Sequence, residues 1–335
     1  MKEASFYTRQ ENSTVQCRLC PHNCIIEPKK TGICRVRKNE GGTLNSLAYG
    51  KITSLNLDPI EKKPLYHFYP GSMILSAGSF GCNFRCSFCQ NWEISQAGFG
   101  DVPVRDLAPA SALRTVKESN SIGLAYTYNE PLMNYEWLLE TSKLLHKENL
   151  KNVLVTNGYI NPEPLKELLP VIDAANIDLK SFSNRFYKKL CAGKLEPVLK
   201  TIETMVKSGK HVELTTLLIP GENDSSPEIV MLADWIAALD NRIPLHFSRY
   251  FPTYKMEVKP TGMDSLINAY ALARKKLKYV YLVNVNEQEY NNTYCPSCGT
   301  AVIEREGYNV KHSGSKCSKC GASCDIINDD SDLWP

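Results

Sequence analysis

The stretch Gly81-Cys82-Asn83-Phe84-Arg85-Cys86-Ser87-Phe88-Cys89-Gln90-Asn91-Trp92 carries three thiols within eight residues. Thiolate metal sites ordinarily close with four ligands. A C-x-x-x-C-x-x-C loop can wrap a cubane 4Fe-4S cluster and ligate three of its irons, leaving the fourth without a protein thiolate. An iron with an open position can take up a substrate, as open metal sites do in catalysis generally. The same spacing also suits a zinc knuckle, or an electron-transfer cluster whose fourth ligand lies elsewhere. A strand before the loop and a β/α barrel after it favour the catalytic reading.

Two other cysteine groups flank this loop. Cys295, Cys298, Cys317 and Cys320 form two C-x-x-C pairs with 18 residues between them, the spacing of a four-cysteine zinc ribbon. Gly299 and Gly321 follow the pairs and permit tight knuckle turns; zinc is favoured over a rubredoxin-like iron. Cys324 is a spare or an alternative ligand. Cys17, Cys20, Cys24 and Cys34 follow a looser pattern that suits either structural zinc or an auxiliary 4Fe-4S cluster. Cys191 stands alone, as a free core cysteine or a reactive thiol.

Thirteen cysteines in a chain of 335 residues would suggest disulfides in a small secreted domain. Here they come as C-x-x-C clusters on a large chain whose N-terminus lacks an apolar signal core, so metal in a reducing compartment is the better reading. No run is long enough to span a bilayer, and a cytoplasmic protein is expected. The 39 basic and 36 acidic residues are well mixed, with a net charge of +3, so nothing demands nucleic acid or an acidic membrane surface.

Short apolar runs at Met73 to Gly78, Ile122 to Tyr128, Asn152 to Thr156, Ala174 to Leu179, Val212 to Ile219 and Pro244 to Ser248 have the length of buried strands; Tyr279 to Val285 adds a seventh candidate. Helix-period segments lie between them at Tyr135 to His146, Glu196 to Ser208 and Glu228 to Leu239. Asn161-Pro162-Glu163 and Ser226-Pro227-Glu228 read as helix starts. Alternating strands and helices, about six β/α units, predict an α/β fold that is a partial or complete β/α barrel, with a doubly wound sheet as the alternative. The expected organisation is 1–68, a Cys-rich module with a β-hairpin turning at Gly50-Lys51; 69–285, the barrel; and 286–335, the ribbon.

The cysteine loop resembles the signature of the radical S-adenosylmethionine (SAM) superfamily, which implies a partial (β/α)6-type radical SAM TIM barrel and a cluster whose unique iron is chelated by SAM. It implies reductive cleavage of SAM to a 5′-deoxyadenosyl radical that takes hydrogen from a substrate. Phe88 then matches an aromatic residue that packs on adenine. Tyr128-Asn129-Glu130-Pro131 is similar in position to a glycine-glycine-glutamate motif, which gives Glu130 the methionyl amino group. Its plainer reading is an acidic helix start.

Thr156-Asn157-Gly158 and Asp178-Leu179-Lys180 resemble segments of glycyl-radical activating enzymes in which Asn157, Asp178 and Lys180 would lie near SAM. By themselves they read as a turn and an ion pair. Leu217 to Asp224 has the place of a loop that borders the adenine, and His246, Arg249 and Tyr250 are further candidates for SAM or substrate contact. Nearly the whole chain resembles the AmmeMemoRadiSam system radical SAM enzymes, through Cys17 to Ile26, Asn56 to Ser72, Gly81 to Gln96 and Tyr294 to Tyr308. That resemblance implies Memo-type and Ammecr-type company and a low-potential donor such as flavodoxin or ferredoxin. A glycyl-radical enzyme activase is the second reading, and a non-catalytic iron–sulfur or zinc carrier is the reading of another class.

Overall fold

The computed structural model describes residues 1–312 and 314–328; Ser313 and the last seven residues of the expected ribbon lie outside the described residues. Its centre is an eight-stranded sheet whose strands lie side by side in chain order. They are β1 (Ser54–Pro59), β2 (Met73–Gly78), β3 (Gly123–Tyr126), β4 (Lys151–Thr156), β5 (Ala174–Asp178), β6 (His211–Leu218), β7 (Leu245–Arg249) and β8 (Val280–Val283). From β2 to β8 every pairing is parallel, while β1 runs antiparallel along β2.

A helix of seven residues or more follows each parallel strand up to β7: α1 (Pro109–Glu118), α2 (Tyr135–Lys147), α3 (Pro162–Leu168), α4 (Leu195–Lys207), α5 (Ser226–Asp240) and α6 (Met263–Arg274). Sequential order with six helical crossovers is the connectivity of a partial barrel; a doubly wound sheet reverses its order at a switch point. The apolar runs become strands because both faces are covered, as in β3, where all four residues are buried. The helices pay their way through one stripe: α4 buries Leu195, Val198, Thr201, Ile202 and Met205, and each aliphatic side chain so buried contributes about 1.5–3 kcal/mol.

The N-terminal segment departs from expectation. Its hairpin is Arg37–Glu40 against Thr43–Ser46, turning at Gly41-Gly42, where both residues have positive φ. Gly50-Lys51 is not a hairpin turn. Lys51–Ile52 pairs with Arg105–Asp106, and Ser54–Pro59, one residue on, form β1. A full ladder on β2 covers the barrel's edge, which a local hairpin would have left open. Val15, Leu19, Val36 and Leu44 join one continuous core with barrel residues such as Leu138 and Leu154.

At the other end, Thr293–Tyr294, Ala301–Glu306 and Asn309–His312 form a small antiparallel sheet. It has a core of its own around Cys295, Val302, Ile303 and Cys317. Arg305 anchors it beneath the barrel: buried, it donates to the carbonyls of Tyr66 (2.7 Å) and Asn291 (2.9 Å) and lies over the Tyr66 ring.

Candidate active site at the barrel mouth

The carboxyl ends of β2 to β7 open into a cavity of about 480 Å³, and Cys82, Cys86 and Cys89 line it together with Phe88, Glu130, Asn157, Asp178 and Lys180. The cysteine loop is fixed from several sides. Gly81 has φ +81°, and a Cβ there would come within 2.6 Å of Val36 Cγ1 and 2.7 Å of the Cys34 carbonyl, so only glycine fits. Asn129 accepts from Ser79 N–H (2.9 Å) and donates to the Gly81 carbonyl (2.8 Å), stapling the loop's entry. The N-terminal module grips it too, through His22 on the Asn83 carbonyl (2.8 Å) and the Arg85 guanidinium on the Ile33 carbonyl.

Donors surround the sulfurs. Phe84 N–H lies 3.3 Å from Cys82 Sγ, Asn157 Nδ2 lies 3.7 Å from the same sulfur, and Ser95 Oγ lies 3.1 Å from Cys89 Sγ. These contacts oppose burial, which still pushes the Cys82 and Cys89 thiols up, so the positive charge of bound iron would be what holds them as thiolates. Three convergent thiols on one loop, facing a cavity and supported by donors, fit an iron–sulfur cluster held at three corners.

Glu130 is buried and accepts from Thr156 Oγ1 (2.7 Å), Asn157 N–H (2.8 Å) and Leu132 N–H (3.2 Å). Burial pushes its carboxyl up to about 7, only partly offset by the Asn157 and Thr156 bonds. Its partners are all neutral, so a cation entering the cavity would meet an uncompensated carboxylate. Asp178 and Lys180 pair at 2.9 Å, and the Lys180 ammonium lies 5.9 Å from the centre of the Phe88 ring. Asn223 holds the Leu217 to Asp224 loop by donating to the Lys180 carbonyl (2.7 Å).

Three expected contacts lie elsewhere. His246 faces down the lumen onto Glu213 (2.7 Å), because it precedes the cavity-lining Ser248 by one strand period. Arg249 turns outward, donating to the Thr261 carbonyl (2.9 Å) and lying over the Phe251 ring. Tyr250 is buried with its hydroxyl on the Met256 carbonyl (3.1 Å).

The cavity also has walls that sequence reasoning passed over. Lys62, Lys63, Asn176, Thr215 and Ser248 line it. Asp58 binds Lys62 (2.8 Å), Lys63 (2.7 Å) and the Tyr128 hydroxyl (2.5 Å); burial opposes its charge, but these bonds hold its carboxyl well below the usual range. The period of two linking Asn176 to Asp178 and Thr215 to Leu217 was a usable signal. Nothing local marks the lysines of the Asp58 to Pro64 segment.

The other cysteine groups differ in kind. The sulfurs of Cys295, Cys298, Cys317 and Cys320 all lie within 4.8 Å of one another, with Cys295–Cys320 and Cys298–Cys317 at 3.6 Å. A tetrahedral ion with bonds of about 2.3 Å needs sulfur–sulfur edges near 3.8 Å, so this group can hold a metal ion. Cys324 is buried beside it. Cys17, Cys20, Cys24 and Cys34 line a small void with Arg37, whose guanidinium is paired to Glu136 at 2.6 Å.

Comparison with known proteins agrees with this geometry. Residues 78–233, from the end of β2 into α5, match the Radical SAM superfamily model. An uncharacterized protein of Methanocaldococcus jannaschii is 43% identical over 335 residues, covering 98% of this chain and 100% of that one. The chain belongs to the radical SAM superfamily. This radical SAM chain is also related to activating enzymes. A putative glycyl-radical enzyme activating enzyme of M. jannaschii is 26% identical, across 60% of this chain and 77% of that one. The pyruvate formate-lyase-activating enzyme of Staphylococcus epidermidis is 25% identical, across 48% and 68%. Among the described residues no helix is long and apolar enough to cross a membrane.

Proposed function

We propose that this radical SAM enzyme holds a 4Fe-4S cluster on Cys82, Cys86 and Cys89, takes SAM at the remaining iron, and removes hydrogen from a substrate in the adjoining cavity. The observation that carries the reading is the trio of loop thiols on a cavity of about 480 Å³, with no fourth cysteine among its lining residues. When bound, the reduced cluster and SAM supply the carbon–sulfur cleavage that yields methionine and a 5′-deoxyadenosyl radical.

The chain's own residues bind and orient. Glu130 receives the methionyl amino group, a cation it otherwise lacks. Asn157 donates toward Cys82, Asp178 and Lys180 fix the nucleoside end, and Phe88 offers an apolar ring to the adenine. The buried walls exclude water from the reactive centre. Anaerobically reconstituted protein given dithionite and SAM should form 5′-deoxyadenosine. None, with the cluster's EPR signal intact, would overturn the proposal.

Activation of a glycyl-radical enzyme is a second reading, supported by the names of the two activating-enzyme relatives. It predicts a glycyl EPR signal on a partner protein. The four-cysteine ribbon is assigned zinc, supported by its 3.6 Å sulfur edges, and the N-terminal four a second metal centre. A flavodoxin or ferredoxin would supply electrons, and Memo-type and Ammecr-type proteins are the proposed company. The carrier alternative fails if SAM perturbs the EPR signal of the reduced cluster, since only an open iron responds.

A further inference from the structure

One stretch of the cavity wall has no task in the reaction proposed above. Lys62 and Lys63 line the cavity where the short turn Ile60–Lys62 leaves the end of β1. Their ammonium groups share a single carboxylate, Asp58, which takes Lys62 at 2.8 Å on one oxygen and Lys63 at 2.7 Å on the other. Among the described residues no second carboxylate pairs with either lysine. Two cations on one anion leave a positive charge over, and each ammonium has three N–H donors of which Asp58 takes one. The side chain of Lys63 is only 2% exposed, whereas that of Lys62 is 46% exposed. Burial lowers the Lys63 ammonium from its ordinary value against the pull of Asp58, as expected of a cation still short of negative charge.

The chain is strained to build this wall. Tyr128 has φ 70°, a left-handed conformation that a bulky residue holds only under constraint. In that pose its hydroxyl donates to Asp58 at 2.5 Å, the Lys63 ammonium lies 4.7 Å from the centre of its ring, and its carbonyl accepts from Asn91 Nδ2 at 2.7 Å. Gly78 makes the room, since a Cβ there would come within 2.7 Å of the ring. Asn176 Nδ2 donates to the Pro64 carbonyl at 2.8 Å and to Thr215 Oγ1 at 2.9 Å, pinning the lysine segment to β5 and β6.

We propose that Lys62 and Lys63 dock an anionic group of the substrate, a carboxylate or a phosphate, with Asp58 and Tyr128 holding the pair in place. The inference rests on the radical SAM reading above and adds to it the class of molecule admitted. In that reading Glu130 is matched by the methionyl amino group and Lys180 is paired with Asp178 at 2.9 Å, so the cavity's surplus positive charge lies at Lys62 and Lys63. One lysine suffices to neutralise Asp58. A second charge on a partly desolvated wall is unfavourable until an anion meets it. Asn176, Thr215 and Ser248 line the same cavity and offer amide and hydroxyl groups to the uncharged part of such a molecule.

Reconstituted, oxidised protein is titrated at low ionic strength with inorganic phosphate, followed by phosphorus NMR line broadening, and with acetate, followed by proton saturation transfer, each with and without SAM. Wild type should bind at least one of the two. Lys62→Gln leaves Lys63 matched to Asp58 and should weaken that binding by roughly tenfold, the worth of a charge-assisted hydrogen bond, while Lys117→Gln on α1 should leave it unchanged. Lys63→Gln should weaken it at least as much; should that variant not fold, the half-exposed Lys62 decides alone. The anion bound more tightly names the substrate's group, carboxylate or phosphate. No binding of either, or equal affinities in wild type and Lys62→Gln, would overturn the inference. A protein that forms no 5′-deoxyadenosine yet keeps lysine-dependent anion binding would instead remove the radical SAM reading and leave the anion site standing.

Discussion

Glu130 and Glu213 are both buried carboxylates of one barrel, Glu130 at the mouth and Glu213 on the floor of the lumen, and their surroundings differ. Glu213 shares a face of β6 with the cavity-lining Thr215 and Leu217, one step lower. Its oxygens take Nε2 of His211 (2.9 Å) and His246 (2.7 Å) and the N–H groups of Tyr66 (3.0 Å) and His67 (2.8 Å). Burial opposes its charge, yet the two histidines hold its carboxyl well below the ordinary value. Glu130 meets only neutral donors and is pushed up to about 7. The floor is finished by the fold, whereas the mouth is left wanting a cation, and that shortfall is what a binding site costs a folded protein.

The comparison breaks most visibly at the cysteines. Cys82→Ala should abolish 5′-deoxyadenosine formation, seen by chromatography, while the metal content proposed for Cys295, Cys298, Cys317 and Cys320 stays unchanged on metal analysis, since the two sites share no ligand.

On the floor, Glu213→Ala should cost about 3–5 kcal/mol in urea unfolding, because it strips a buried charge from its partners. A loss below about 1 kcal/mol would mean the network is not what closes the lumen.

Acid should find the floor first. His67 is fully buried between the Asp325 carbonyl (3.0 Å) and the Tyr281 hydroxyl (2.6 Å), and burial lowers it to about 4. A histidine depressed on folding gives stability that is present above its unfolded pKa near 6.5 and is lost as pH falls toward 4. About 3 kcal/mol should disappear over that window, and His67→Gln should flatten the slope.

The mouth should behave in the opposite sense. A raised carboxyl costs stability as pH climbs from about 4.5 through 7, so Glu130→Gln should make the SAM-free protein more resistant to urea at pH 8. The same variant should weaken SAM binding by about 10- to 100-fold, the worth of one charge-assisted hydrogen bond, read by calorimetry. Equal SAM affinity would return Glu130 to a purely structural part.

Much of the architecture was legible because it is local. β2 falls on the expected run, α2 begins at Tyr135 as its period requires, and α4 and α5 start within two residues of their predicted positions. The hairpin was misplaced because alternation near Gly50 has no memory of its partner, and β2 offered a longer ladder than the nearby chain could. Phe88, Glu130, Asn157, Asp178 and Lys180 all line the cavity, each within a step or two of a strand end or the cysteine loop. His246 and Arg249 instead bond Glu213 and the Thr261 carbonyl, because one strand period or one turn outward decides which way a side chain looks.

By itself the sequence determined the three cysteine groups, their spacings and the β/α alternation that sets six helices against a parallel sheet, since each depends on neighbours a few residues apart. Tertiary structure decided that Lys62 and Lys63 wall the cavity, that Glu213 closes its floor, and that the carbonyls of Leu190 and Cys191 hold the cysteine loop through Ser87 and Arg85 N–H. Those contacts join residues remote in sequence, and only the closing of the sheet, driven by burial along its whole length, brings them within hydrogen-bond reach.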